Sequence, residues 1–248
     1  MSVNRNALSF VLALSFFVIV RAQEKCELVV SYSCLYRTAV EDVKPFNEIR
    51  CLKRSANTSI FLCAPDTVRI RGHLIDGSEN PYRVYKNLPE NGELTYREMQ
   101  YEKNYYTESI PDFNWQMLEG DSTVCGYQCG KAATTFRGRT WIVWYTMDLS
   151  YADGPWKLCG LPGLILRAED TKGDYSFTAF KVEKGQGEPI ALDIKGFKEV
   201  NPAKWQKEIA ESKKNPDIEG IKKVCVNIPD YLLPKSSTAC FMEYFDDK

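Results

Sequence analysis

The sequence predicts a mainly β protein of the α+β class: a curved antiparallel sheet, sandwich or half-barrel with one C-terminal helix packed on it. Three observations support this prediction. Short runs rich in β-branched and aromatic residues recur at regular spacing. Turn dipeptides such as Asp76-Gly77 and Asn91-Gly92 separate several of these runs. A helix-type pattern begins only after residue 200.

The predicted strands follow from alternation and from β-type composition between turn signals. They are 27–38, 48–53, 59–63, 68–74, 82–87, 115–118, 125–136, 139–149, 164–169 and 175–182, and segment 92–102 is ambiguous. The last two strands are predicted to form a hairpin across residues 170–173, because that short polar segment ends in a glycine.

The single predicted helix starts at Asn201-Pro202, a capping residue followed by a proline in the first turn. It continues through 204–214, with Trp205 and Ile209 on one side, and Pro216 stops it. Because this apolar stripe is narrow, we expect the helix to lie on the sheet. The domain organisation predicted is a signal peptide over 1–22 and one β-rich domain over 23–248.

The N-terminus predicts export. Arg5 precedes an apolar run over 7–20, and Ala22 provides a small residue before a cleavage site at Gln23. The residues before Cys26 are charged or polar, which does not fit a lipid-attachment sequence. We therefore expect a periplasmic or secreted protein that is not lipid-anchored and has no transmembrane segment in its mature part.

Composition excludes several classes of function. The 248 residues carry 32 Lys and Arg against 33 Asp and Glu, a net charge of −1, so no nucleic-acid partner is predicted. The single histidine, His73, excludes a multi-histidine metal centre. No phosphate-binding loop or dinucleotide fingerprint is present. The prediction is therefore no metal and no cofactor.

Nine cysteines in an exported chain predict some disulfides, with at least one thiol left over. The nearest local pairs are Cys51/Cys63 and Cys225/Cys240. If the segment between Cys125 and Cys129 is extended, their Cα atoms lie about 13 Å apart, at about 3.3 Å per residue, which is too far to bridge. A redox role for these two residues stays open as an alternative.

The most informative block is 125–182, where one strand carries aromatic residues on both faces. This pattern has two interpretations, a packed core or an aromatic ligand pocket. The candidate ligand-binding residues are Trp141, Trp144, Tyr145, Asp148 and Trp156.

A turn follows this strand at Gly160-Leu161-Pro162-Gly163. We expect Gly163 to supply the positive φ of a type II turn, so that the turn directs Leu164 and Ile165 into the core. The loop is therefore predicted to be structural. Asp148 and Asp153 flank this region, and a carboxylate pair for acid–base catalysis is the alternative.

The same block resembles a known family. Gly160-Leu161-Pro162-Gly163-Leu164-Ile165 is identical to the signature of the GLPGLI family of exported proteins, found mainly in the Bacteroidetes. Residues 126–132, 136–139, 144–149 and 154–157 are similar to further motifs of that family, in the same order. The resemblance implies an exported protein of β-rich fold, and it supplies no catalytic or ligand residues.

The function predicted is a non-catalytic binding or assembly role in the envelope or outside the cell. The expected partner is an apolar small molecule or an envelope protein, such as an outer-membrane partner. The alternative is an enzyme, either a thiol oxidoreductase using Cys125 and Cys129 or a hydrolase using Asp148 and Asp153.

Overall fold

A computed structural model of the chain describes residues 24–37, 40, 46–63, 69–70, 73–74, 82–99, 102–217, 237 and 241–245. The predicted signal peptide, Cys225 and Cys240 lie outside these residues, so the predicted division into a signal peptide and one domain stays a prediction. Within the described residues, no helix combines the length and the apolar character needed to cross a bilayer.

The described chain is built from short and medium strands and one helix. In chain order they are β1 (Glu24–Lys25), β2 (Leu28–Tyr36), β3 (Phe46–Arg54), β4 (Ser59–Cys63), β5 (Arg69–Ile70), β6 (His73–Leu74), β7 (Tyr82–Lys86), β8 (Glu93–Glu98), β9 (Asn104–Ser109), β10 (Gln116–Val124), β11 (Tyr127–Phe136), β12 (Arg139–Thr146), β13 (Leu164–Asp170), β14 (Tyr175–Lys184), β15 (Pro189–Ile190), β16 (Lys198–Glu199) and α1 (Pro202–Lys214).

Twelve of these strands form one curved sheet in the order β10-β11-β12-β13-β14-β2-β3-β4-β7-β8-β9-β16. Every pairing in it is antiparallel except that of β16 with β9, which is parallel. Two small two-stranded sheets, β1-β15 and β5-β6, complete the described strands. The predicted class, a mainly β protein with a curved sheet and one C-terminal helix, is confirmed.

The strand boundaries differ from the prediction in several places. Within the predicted strand 68–74, the described residues form two short antiparallel strands, in which Ile70 pairs with His73. The ambiguous segment 92–102 contains β8, and β9 was not predicted, because its adjacent tyrosines hide the alternation. Cys125 is not extended, since Cys125 (φ 51°) and Gly126 (φ 84°) form a two-residue hairpin turn between β10 and β11.

The main core lies on one face of the sheet, where alternate residues of each strand point inward. Val30 and Tyr32 from β2 are fully buried there with Trp141 from β12. The connection between β12 and β13 folds into this face and buries Trp156, whose ring lies 5.5 Å from that of Trp141. A loop thus supplies part of the core.

The opposite face is covered along β3, β4, β7 and β8. Tyr85 and Ile60 form a smaller buried cluster there with Ile190 of β15. The segment after β15 continues this cover, because Arg97 of β8 lies 4.5 Å from the ring of Phe197. This half of the sheet is therefore packed on both faces, which explains why residues that point to either face are buried there.

The helix has the predicted limits. Asn201 is the N-cap, and its side-chain oxygen accepts a hydrogen bond of 3.0 Å from the Lys204 backbone N–H. Trp205 packs its ring 6.1 Å from Tyr96 and 6.3 Å from Tyr106 on the sheet. The expectation of a helix lying on the sheet is confirmed. The helix contacts the sheet through the ring of Trp205.

The turn before β13 is tight for a reason that differs from the one expected. Gly163 does not have a positive φ, whereas Gly160 does, at 89°. The Gly163 N–H donates a 2.8 Å hydrogen bond to the Leu161 carbonyl, so the chain bends sharply at Pro162. A Cβ atom at Gly163 would lie 2.1 Å from the Thr146 carbonyl oxygen. Glycine is therefore required for close approach to β12.

We expect Gly163→Ala to destabilise the protein, because backbone atoms of Thr146 would have to move to admit the methyl group. Overpacking of this kind costs roughly 1–3 kcal/mol, and about 2–4 °C of melting temperature is lost per kcal/mol in a domain of this size. Thermal denaturation measures the effect. Gly130→Ala is the matched control, since its Cβ would lie 3.5 Å from the Tyr145 ring. Equal melting temperatures for the two variants would contradict the requirement for glycine at position 163.

Candidate functional site

A cavity lies between the core face of β3, β7, β8 and β9 and the helix α1. It has a volume of about 200 Å³, and residues 241–245 close one side. We call it the tyrosine groove. Its lining includes Tyr36, Tyr82, Tyr96, Tyr106 and Trp205, together with the charged side chains of Arg50 and Glu98.

Three tyrosines from neighbouring strands stack in a row along this groove. The rings of Tyr82 and Tyr96 lie 5.6 Å apart at 12°, and those of Tyr96 and Tyr106 lie 5.2 Å apart at 16°. Tyr96 and Tyr106 are directly opposed in the β8–β9 register, which brings their side chains together. The row forms a rigid aromatic wall, and Trp205 of α1 faces it.

A buried guanidinium group extends the row at the β3 end. Arg50 is fully buried, and its guanidinium carbon lies 3.6 Å from the Tyr82 ring centroid. It donates to the Tyr82 carbonyl at 3.1 Å and to the carboxylate of Glu48. Tyr36 donates to the other Glu48 oxygen at 3.4 Å. These contacts fix a permanent positive charge at the wall of the groove.

Glu98 brings a carboxyl group with unusual acidity to the same cavity. Burial raises its pKa from 4.5 to about 7, although a hydrogen bond from Tyr96 and the charges of Arg50 and Lys213 act in the opposite direction. The Tyr96 hydroxyl donates to Glu98 at 3.2 Å. Near neutral pH this group therefore exchanges between a hydrogen-bond donor and a charged acceptor.

Behind the groove, two cations and two carboxylates form a buried network. The Lys157 ammonium, which is fully buried, contacts Glu108 at 2.5 Å and also Glu243. Arg137 bridges the same two carboxylates at 2.5 and 2.7 Å. Burial alone would raise the pKa of Glu108, but the charge of Lys157 and hydrogen bonds from both cations lower it. The network fastens residues 241–245 beside the groove.

The five candidate ligand-binding residues are not brought together. Trp141 and Trp156 are buried in the core at 0% and 1% exposure. Trp144 lies on the other face of the sheet, between Arg167 at 4.5 Å and Lys131 at 5.5 Å.

The remaining two candidates are Tyr145, which follows Trp144 in β12, and Asp148. The Tyr145 hydroxyl contacts the sulfur of Met117 at 3.4 Å, and Asp148 is exposed. Of the five, Trp156 alone also lines the tyrosine groove.

The loop residues occupy structural positions. Leu161, Leu164 and Ile165 are buried at 1%, 0% and 0% exposure, while Gly160 and Pro162 are exposed. The structural role of the loop stays a prediction, which thermal denaturation of Gly163→Ala tests.

The two aspartates do not form a pair of equivalent carboxylates. Asp153 is buried and contacts the Lys86 ammonium at 2.6 Å and Arg54 at 3.3 Å. Burial alone would raise its pKa, but these two cations lower it, so the carboxylate stays ionised. Asp148 is exposed. Asp153 therefore serves as a fixed counter-ion to Lys86, which does not suit general acid catalysis.

The seven cysteines within the described part of the chain form no disulfide with one another. Cys51 pairs with Leu62 and Cys63 with Arg50 across β3 and β4, so the two thiols point to opposite faces of the sheet. The predicted Cys51–Cys63 bridge is therefore wrong. Burial raises the pKa of the Cys125 and Cys129 thiols, which disfavours the reactive thiolate form.

Apart from Trp156, sequence reasoning missed the residues that line the tyrosine groove. The period-2 series Leu94, Tyr96 and Glu98 in β8 is the available signal, because it places a carboxyl on the core face of a strand. Arg50 gives no comparable signal, since the residues two positions away on its face of β3 are the charged Glu48 and the apolar Leu52.

Comparison with known proteins corrects the family resemblance. Residues 89–201 match the family described as "N-glycanase peptide, N-terminal domain". The GLPGLI resemblance is wrong. Its hexapeptide forms a sharp turn that leads into a buried strand, and Gly163 packs closely against β12. No curated protein matches the chain.

Two solved structures of PNGF-II, in space groups C2 and P21, share the fold. They superpose with TM-scores of 0.50 and 0.51 at 18% identity, over 76% of this chain. The match covers 33% and 34% of those chains, so this chain spans about a third of their length. A LolA superfamily protein from Nitrosomonas europaea also matches, at 12% identity over 70% of this chain and 90% of its own. Its TM-score of 0.27 is too low to support an argument.

The acidity of Glu98 predicts a pH-dependent stability. Its folded-state pKa of about 7 exceeds the ordinary 4.5, so the folded protein holds a proton that the unfolded chain releases. The resulting stabilisation is fully present below pH 4.5 and is lost as pH rises through 7. We expect the free energy of unfolding of the natural protein to fall relative to that of Glu98→Gln between pH 5 and pH 8.

Chemical denaturation of both proteins at these two pH values measures this difference. Glu90→Gln is the control, because Glu90 is exposed in a turn. A difference between the natural protein and Glu98→Gln that stays constant from pH 5 to pH 8 would show that Glu98 has an ordinary pKa.

Proposed function

We propose that this chain is a non-catalytic binding module of an exported protein, and that the tyrosine groove binds a glycan or a glycan-bearing peptide. The observation that carries the proposal is the groove itself, in which a row of stacked tyrosines and Trp205 surround two buried charged groups. Export rests on the predicted signal peptide over 1–22, which lies outside the described residues.

A sugar ring suits this lining because it has an apolar face of C–H groups and a rim of hydroxyls. Aromatic side chains pack against the apolar face while polar groups at fixed positions bind the rim. Trp205 offers such an aromatic surface. Glu98 and Tyr96 offer polar groups beside it, at 3.2 Å from one another.

The family match supports the choice of ligand class. The matched description names an N-glycanase and assigns the matched region to its N-terminal domain. The match covers about a third of the PNGF-II chains, so the activity of those whole proteins is not carried over to this chain. An apolar small molecule, the ligand expected from the sequence, would use the same aromatic wall and leave Glu98 unused.

The enzyme alternative has less support from the described residues. Asp153 is held in a buried ion pair, and Cys125 and Cys129 have raised pKa values. Neither arrangement supplies an activated nucleophile or a free general base.

We expect the purified protein to bind a high-mannose asparagine-linked glycopeptide and not the same peptide without its glycan. Trp205→Ala should weaken binding about ten-fold, the loss typical of a central aromatic contact. Trp144→Ala is the matched control, because it removes a partly exposed tryptophan from the other face of the sheet. Isothermal titration calorimetry measures both affinities.

Three outcomes would contradict the proposal. Loss of binding in Trp144→Ala but not in Trp205→Ala would move the site to the aromatic strand predicted from the sequence. Binding of a fatty acid and not of the glycopeptide would favour an apolar ligand. Release of the glycan by the purified chain would show that the module is catalytic.

A further inference from the structure

A second cavity of about 200 Å³ lies beside the tyrosine groove, between the β8–β9 hairpin and α1. We call it the acidic cavity. Its polar lining is rich in hydrogen-bond acceptors, whereas its apolar lining is limited to two helix residues. The residues are Glu98, Glu102, Asn104, Glu208 and Ser212, with Trp205 and Ile209.

Asn104 lines this cavity and carries a buried hydrogen-bond acceptor without a partner. The residue is 4% exposed, and its side-chain carbonyl oxygen has no hydrogen-bond partner. A buried acceptor without a donor costs free energy, so nearly all such groups in proteins are satisfied. A ligand that brings a donor into the cavity would remove this cost.

The acceptors come from independent elements that meet at the cavity. Glu98 of β8 and Asn104 of β9 are directly opposed in the strand register. Glu208 and Ser212 are one turn apart on α1, and therefore lie on one face of the helix. Trp205 lies one turn before Glu208, so an aromatic ring flanks the acceptors.

We propose that the acidic cavity binds a primary ammonium group, carried by the lysine side chain of a peptide or by an amino sugar. An ammonium has three donors and no acceptor, which matches a cavity lined by carboxylates and an unpartnered amide oxygen. The Trp205 ring adds a surface of the kind that attracts cations. The volume admits the ammonium together with the few carbon atoms that carry it.

Nearby positive charges do not neutralise the cavity. Lys204 approaches Glu208 at 4.0 Å, and both side chains are largely exposed, at 79% and 63%. Lys213 lowers the pKa of Glu98 but lines the tyrosine groove and not this cavity. Three carboxylates therefore face a cavity whose own lining contains no lysine or arginine among the described residues.

This inference stands apart from the proposed glycan site, although Glu98 lines both cavities. The test therefore uses small probes that do not require the tyrosine groove. Calorimetry at pH 7.5 compares Nα-acetyl-lysine amide with Nα-acetyl-norleucine amide, and glucosamine with N-acetylglucosamine. We expect each ammonium probe to bind at least ten-fold more tightly than its neutral analogue, and the tighter of the two identifies the source of the ammonium.

Variants locate the binding. Glu208→Gln removes one exposed carboxylate and should weaken ammonium binding about five-fold, the value expected for a partly exposed charge pair. Asn104→Asp adds a negative charge to the cavity and should therefore tighten ammonium binding. Glu211→Gln is the matched control, because Glu211 lies on the same helix outside the cavity lining.

Equal binding of charged and neutral probes would overturn the proposal, as would equal effects of Glu208→Gln and Glu211→Gln. Binding of calcium ions that depends on Asn104 and Glu208, with no binding of either ammonium probe, would overturn it in favour of a metal site.

Discussion

The buried ion pair between Lys86 and Asp153 determines how the connection between β12 and β13 enters the core. The Lys86 ammonium contacts the Asp153 carboxylate at 2.6 Å, the Gly154 carbonyl at 2.7 Å and the Leu158 carbonyl at 3.1 Å. All three of its donors are thus used on one loop. The loop in turn places Trp156 against Trp141 and at the edge of the tyrosine groove. A charged contact made by β7 therefore shapes the site that α1 covers.

A second network closes the groove from the C-terminal side. Lys157 follows Trp156 in the same loop, and its ammonium holds Glu243 together with Arg137. Because each of the two cations contacts both carboxylates, the network remains charge-paired when any single partner is removed. The residues after α1 are therefore part of the groove, and ion pairs fix them to Arg137 in the turn between β11 and β12 and to Lys157 in the connection between β12 and β13.

The sequence predicted the fold better than the site, for a physical reason. Alternation along a strand reports which face is buried, and that information sufficed for the sheet and for the helix over 202–214. It does not tell a packed aromatic from an exposed one, so Trp141 could not be distinguished from Trp205. The tyrosine groove combines β3, β7, β8, β9 and α1, and the sheet order that brings these elements together is a tertiary property.

The errors in residue-level predictions have the same origin. Gly163 was expected to provide a positive φ, but glycine is needed there because a neighbouring backbone lies 2.1 Å from where its Cβ would be. Cys51 and Cys63 are close in sequence, but the register of β3 and β4 turns their thiols to opposite faces. In both cases the deciding atoms belong to another strand, which local patterns do not reveal.

Glu98 connects the two proposed sites, because its side chain lines both the tyrosine groove and the acidic cavity. Its pKa of about 7 means that a small change in surroundings shifts its charge at neutral pH. An ammonium in the acidic cavity favours the carboxylate, and the carboxylate accepts the Tyr96 hydrogen bond that the groove already contains. Thermodynamic linkage makes the effect reciprocal: a groove ligand that prefers ionised Glu98 strengthens ammonium binding by the same factor. A ligand carrying a sugar and a nearby ammonium, as a glycopeptide with a lysine does, would gain from both sites at once.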